Sequence, residues 1–170
     1  MMGDRDQNKL GQETMKITLK VEDYSSEGYG VFRYDGKVVF VPYAIPGETV
    51  EAEIIKEHRS YSEGNLIKVM EKSDKRVFPP CEIYTVCGGC SLQHMEYEEQ
   101  LRFKKQKVEN ALRRIAKTEC KVNDVIGMKT PYQYRNKAQY SVKYNKVGFK
   151  KSKSHEIVQA DNCLILPNDV

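Results

Sequence analysis

From Met15 to Lys72 apolar and polar residues alternate in short bursts. In MKITLKV, Ile17, Leu19 and Val21 fall on one face and Lys16, Thr18 and Lys20 on the other, the period of a half-buried strand. GYGVFRY follows, then Asp35-Gly36, a two-residue turn that joins antiparallel strands. KVVFVP comes next, Pro46-Gly47 turns into ETVEAEII, and Gly64-Asn65 introduces LIKVM. Five such strands in so short a stretch predict a small closed barrel of the OB type.

Beyond the barrel the period changes. Residues 73–80, SDKRVFPP, read as a linker stiffened by two prolines. One helix is expected over Glu96–Lys117, where Tyr97, Leu101, Val108, Leu112 and Ile115 recur at helical spacing as a buried stripe. Glu96, Glu98 and Glu99 in its first turn and Arg113, Arg114 and Lys117 in its last suit the helix dipole. Strand character returns in QYSVKY, VGFKK and HEIVQADNCLIL. The expected fold is α+β and β-rich. A disordered leader (1–14) precedes the barrel (15–72), the linker (73–80) and a central region (81–170) of cysteine loop, amphipathic helix and antiparallel β segment.

Charge sharpens that division. Residues 102–153 carry 16 Lys+Arg against 3 Asp+Glu, a surplus of 13 in a chain whose net charge is only +4. So concentrated a surplus is the footprint of a polyanion partner, with nucleic acid first in line. Residues 11–72 carry 8 basic against 11 acidic groups, so RNA contact by the barrel would have to be local, around Phe32, Arg33, Tyr34 and Lys37. No apolar run approaches the length of a membrane-spanning helix, and MMGDRDQNKLGQET lacks the apolar core of a signal peptide. A cytoplasmic protein with no membrane partner is expected.

In a reducing compartment clustered cysteines point to metal or redox chemistry. CEIYTVCGGCSLQH places Cys81, Cys87 and Cys90 in the spacing C-x5-C-x2-C, with Gly88-Gly89 able to supply positive φ angles in a tight loop. Structural zinc, a thiol–disulfide site, an iron–sulfur cluster and plain buried thiols all compete. Zinc ribbons usually supply a second close pair, which this chain lacks. A thioredoxin-type site would leave Cys81 unexplained. Iron–sulfur clusters are commonly completed by a distant cysteine. Of the two candidates, Cys120 lies in a polar stretch, whereas Cys163 opens the apolar segment CLIL and is favoured. The 72 residues between Cys90 and Cys163 are no obstacle, since each doubling of a loop costs only about 0.6 kcal/mol.

CEIYTVCGGCSLQH, EEQLRFKKQKVENAL, YRNKAQYSV and GFKKSKSHEIVQADNCLIL, in that order, resemble the RNA uracil-5-methyltransferases, and more narrowly the 23S ribosomal RNA branch with a [4Fe–4S] cluster. GYGVFRYDGKVVFVPYAIPGETVEAEI resembles a TRAM domain, an OB-like RNA-binding module. The resemblance implies a [4Fe–4S] cluster held by Cys81, Cys87, Cys90 and Cys163, and gives Cys120 no counterpart. It also implies S-adenosylmethionine as methyl donor, used by a catalytic domain that would follow Val170. Gly28 and Gly30 do not replace that domain, because Arg33 stands at the third glycine position of a dinucleotide-binding loop. The chain is therefore expected to be an N-terminal part, inactive alone. His94 matches the family's Gln-His and is expected to support the cluster loop.

In the basic segment, aromatic residues interleave with cations, the two ingredients of single-strand RNA recognition. Arg135, Asn136, Lys137, Lys143, Lys150 and Lys151 are the expected RNA contacts, with 23S rRNA as the partner. Tyr140 and Tyr144, alternating with Val142, are expected in the core. Two other readings stay open: a stand-alone RNA-binding module, and a zinc-bound, non-enzymatic interaction domain.

Overall fold

The computed structural model describes residues 15–160 and 162–167. The leader expected at 1–14 lies outside them. The chain divides into two compact units, one running to Ser25 and resuming over Tyr29–Lys72, the other made of Ser26–Gly28 and everything from Ser73.

The first unit is a six-stranded sheet of β1 (Lys16–Lys20), β2 (Asp23–Tyr24), β3 (Gly30–Tyr34), β4 (Lys37–Val41), β5 (Thr49–Glu57) and β6 (Tyr61–Glu71), in the order β1-β5-β6-β4-β3-β2. All pairings are antiparallel except β4 with β6. The five expected strands are present; the extra one, β2, is only two residues long. Inward alternation gives a core of Ile17, Val21, Phe32, Val39, Val41, Ala44, Val50, Ala52 and Ile54. Each Val, Ile or Phe side chain among them contributes roughly 1.5–3 kcal/mol when fully buried. Asp35 and Gly36 both take positive φ, 47° and 72°, as the tight hairpin between β3 and β4 requires.

Two local expectations are revised. Gly64 does not introduce the last strand but lies inside β6, which begins at Tyr61. A β-carbon at Gly64 would stand 3.1 Å from a Val41 methyl and 3.2 Å from the Glu53 carbonyl, so the glycine serves close approach between strands. Phe32, counted among possible RNA contacts, is 1% exposed and belongs to the core.

The second unit holds α1 (Tyr97–Arg114) and a three-stranded antiparallel sheet of β7 (Ser141–Lys143), β8 (Lys146–Lys150) and β9 (Ile157–Val158). The helix carries Glu98 and Glu99 in its first turn and Arg113 and Arg114 in its last. Its expected apolar stripe is corrected: Val108 and Ile115 are exposed, and the buried residues are Glu99 and Phe103. A carboxylate can be buried there because Arg102 grips Glu99 through both Nε and a terminal nitrogen. Tyr140 and Tyr144 are not core either. Tyr140 lies against Phe149 but is 44% exposed, and Tyr144 is 88% exposed at the tip of the β7–β8 hairpin.

Candidate metal centre and nucleic-acid face

The cysteine loop is built from successive tight turns. Tyr84 N–H donates to the Cys81 carbonyl, Val86 N–H to Ile83, and Cys87 N–H also to Ile83, at 2.8–3.1 Å. Beneath it Tyr84 and His94, 3% and 1% exposed, are joined by a 2.7 Å hydrogen bond between the Tyr84 hydroxyl and His94 Nδ1. Desolvation, with Arg76 nearby as a second cause, lowers the His94 pKa to about 3, so the imidazole is neutral at physiological pH. Residues 75–77 pair with 94–96 on the other side. Val77 N–H donates to the His94 carbonyl at 3.0 Å, and Glu96 N–H donates to Lys75 at 2.8 Å.

The loop is stitched to the basic sheet. Gly88 N–H donates to the Lys150 carbonyl and Ser152 N–H to the Val86 carbonyl, both at 3.0 Å, and Cys87 bridges Lys151 in antiparallel fashion. A β-carbon at Gly88 would lie 3.2 Å from that Lys150 carbonyl. Neither Gly88 nor Gly89 has a positive φ. Gly88 serves close backbone approach, in place of the left-handed turn expected from sequence. Gly89 N–H also reaches Cys87 Sγ at 3.4 Å.

Cys163 arrives from the far end of the chain. Gln133 N–H donates to the Leu164 carbonyl and Arg135 N–H to the Ile165 carbonyl, at 3.0 and 2.9 Å, which pins that segment in place. The consequence is that Cys81, Cys87, Cys90 and Cys163 all line one small cavity of about 30 Å³, whose walls include Gln93, Arg135 and Ile165. Cys120 is exposed and lies outside it. Burial pushes the Cys90 thiol up, the Gln93 side chain opposes this by hydrogen bonding to it, and Cys163, Cys87 and Cys81 push it further up. Among the described residues, no three His, Cys, Asp or Glu side chains converge closely enough to hold a single metal ion.

The six expected RNA contacts do not share one setting. Asn136, Lys137, Lys143 and Lys150 are exposed. Lys151 is half-buried and paired with Glu156 at 2.6 Å. Arg135 is half-buried in the wall of the cysteine cavity, its Nε donating to the Lys137 carbonyl at 3.0 Å. Gln93 and Arg135 are the cavity residues that spacing did not reveal, because neither has a ligand's chemistry and only the fold turns them inward.

Residues 12–67 match the TRAM domain family. The first unit is a TRAM domain. Around it the chain is homologous to RNA methyltransferases. It is 45% identical over 154 residues to an uncharacterized RNA methyltransferase of Clostridium acetobutylicum, covering 86% of this chain and 34% of that protein. A relative of the same description from Caldanaerobacter subterraneus is 45% identical over 161 residues, 92% of this chain and 35% of its own. Among solved structures, the tRNA (uracil-54, C5)-methyltransferase of Pyrococcus abyssi with S-adenosyl-L-homocysteine superposes with a TM-score of 0.63 at 26% identity. That likeness covers 89% of this chain and 33% of the neighbour. The chain with its TRAM domain thus spans about a third of the length of these relatives.

Proposed function

We propose that this chain is the RNA-gripping, cluster-bearing part of an S-adenosylmethionine-dependent enzyme that methylates uracil at C5 in RNA. The observation that carries it is the convergence of Cys81, Cys87, Cys90 and Cys163 on one cavity sewn to the lysine-rich sheet. The four cysteines line one shared cavity, three from a C-x5-C-x2-C loop and the fourth from a distant segment. That arrangement suits a [4Fe–4S] cluster, in which cysteine thiolates bind a multi-iron core. Burial at Cys90 disfavours an uncompensated thiolate there, so a positively charged occupant would stabilise it.

A cluster held by Cys81, Cys87, Cys90 and Cys163 would cross-link the cysteine loop to the Cys163 segment; methyl transfer itself consumes no electron. Gln93 and the Gly89 amide orient and solvate the sulfurs, and Arg135 supplies a cation in the wall. The exposed lysines neutralise phosphates while a target base leaves its stack for the catalytic domain. The motif order resembles the ribosomal RNA branch, so 23S rRNA is the proposed substrate, with the tRNA specificity named for the Pyrococcus neighbour as the competitor.

Iron and sulfide analysis after anaerobic purification should give about four of each per chain; a single bound zinc would overturn the cluster. Competition between a 23S rRNA fragment and tRNA for the purified chain decides the substrate. Preference for tRNA would reject the ribosomal assignment.

A further inference from the structure

The tip of the β7–β8 hairpin combines a left-handed turn and a pair of like charges with an exposed aromatic ring. Tyr144 and Asn145 form its two-residue turn with φ of 46° and 59°. Tight turns of this kind favour Asn-Gly, and a bulky residue in the left-handed region is an outlier associated with function. Lys143 and Lys146 lie directly opposite each other across the turn, a pairing of like charges that destabilises a hairpin. The Tyr144 ring, finally, is 88% exposed, with Lys143 Nζ 5.3 Å from its centroid. Val142 and Val147, the next cross-strand pair, are also exposed, at 73% and 52%.

The charge around the tip is lopsided. Glu156 is the carboxylate near enough to sense Lys143 and Lys146, but Lys151 already holds it at 2.6 Å and is the main cause of its lowered pKa. What remains is an exposed aromatic ring with Lys143 over it and Lys146 opposite Lys143 across the turn, on a segment with a surplus of 13 positive charges over residues 102–153 (16 basic, 3 acidic). Every nucleobase has a face that stacks on such a ring, and the flanking cations sit where the backbone phosphates must run.

We infer that this hairpin tip is a single-strand RNA clamp, in which Tyr144 stacks one unpaired base and Lys143 and Lys146 hold the phosphates on either side. The clamp rests on the RNA-binding reading above and adds its point of grip. It uses no cysteine and requires no cluster chemistry.

The test titrates the purified chain into a short single-stranded RNA carrying one 2-aminopurine, whose fluorescence falls on stacking. The unmodified protein should quench it. Tyr144→Ala should remove the quench and weaken binding roughly 5- to 150-fold, the range for loss of one base–aromatic stack. Tyr144→Phe keeps the ring and should bind within about threefold. Tyr144→Gly relieves the left-handed strain, so it should melt at a higher temperature yet bind as poorly as Tyr144→Ala, which separates folding from grip. The salt slope should be unchanged by Tyr144→Ala and shallower by about 0.7 for each of Lys143→Ala and Lys146→Ala. Full quenching and affinity in Tyr144→Ala would overturn the clamp while leaving RNA binding intact. Absence of binding by the unmodified protein would overturn both.

Discussion

His94 is 1% exposed and hydrogen-bonded to Tyr84, and its pKa is lowered to about 3. In the unfolded chain the imidazole titrates near 6.5, so between pH 6.5 and 3 the unfolded state binds a proton that the native state refuses. Stability therefore falls as pH drops through that window, by at most about 1.4 kcal/mol per pH unit from this group. Denaturant midpoints of the second unit measured from pH 7 to 4 should show the fall, and His94→Gln should flatten it; an identical profile in the variant would refute the assignment. A second residue is as unforgiving. Gly148 is buried, and a β-carbon there would overlap the Val158 carbonyl. Gly148→Ala should break the β8–β9 pairing and cost on the order of 1–3 kcal/mol, read as a lower melting temperature. At this scale the family resemblance drew attention to His94, through the Gln-His that follows the cysteines, but not to its burial against Tyr84. Gly148 was invisible, since what excludes a methyl group there is a carbonyl ten residues downstream.

Among the elements, legibility tracked how local each cause is. Strands β1, β3, β4 and β5 follow from alternation and from the Asp35-Gly36 turn, which act within a few residues. The helix ends were nearly right for the same reason: charges at each terminus report on the helix itself. Its buried face was not. Helical spacing picked out Val108, Leu112 and Ile115, but a stripe says only that a face is apolar, not which neighbour reaches it. Phe103 and the Arg102-gripped Glu99 are buried instead. The β7–β8 hairpin shows the converse. Alternation of Tyr140, Val142 and Tyr144 suggested a core face, yet Val142 and Tyr144 stand 73% and 88% exposed. Patterns give orientation relative to a core only where the strand has a partner layer, and this three-residue strand ends in a tip.

For the whole molecule, the decisive feature is that Cys163 meets a loop from which 72 residues of chain separate it. Sequence could favour Cys163 over Cys120, since an apolar segment tends to enter a core. It could not show that backbone bonds from Gly88, Ser152, Gln133 and Arg135 would sew the same loop to the basic sheet. If the proposed cluster fastens that arrangement, removing one ligand should act far from the sulfur. A cross-link closing a loop of this length stabilises by on the order of 4 kcal/mol in chain-entropy terms. Cys163→Ser should therefore lose iron, lower the melting transition of the second unit, and weaken RNA binding with a shallower salt slope as the lysines lose their common frame. The TRAM domain contains no cysteine, so its transition should stay where it is. Cys120→Ser, changing an exposed thiol outside the cavity, should leave all these properties intact. Full iron content in Cys163→Ser would remove that residue from the ligand set. Iron loss with unchanged RNA affinity would instead show that hydrogen bonds alone hold the basic sheet in its RNA-binding form.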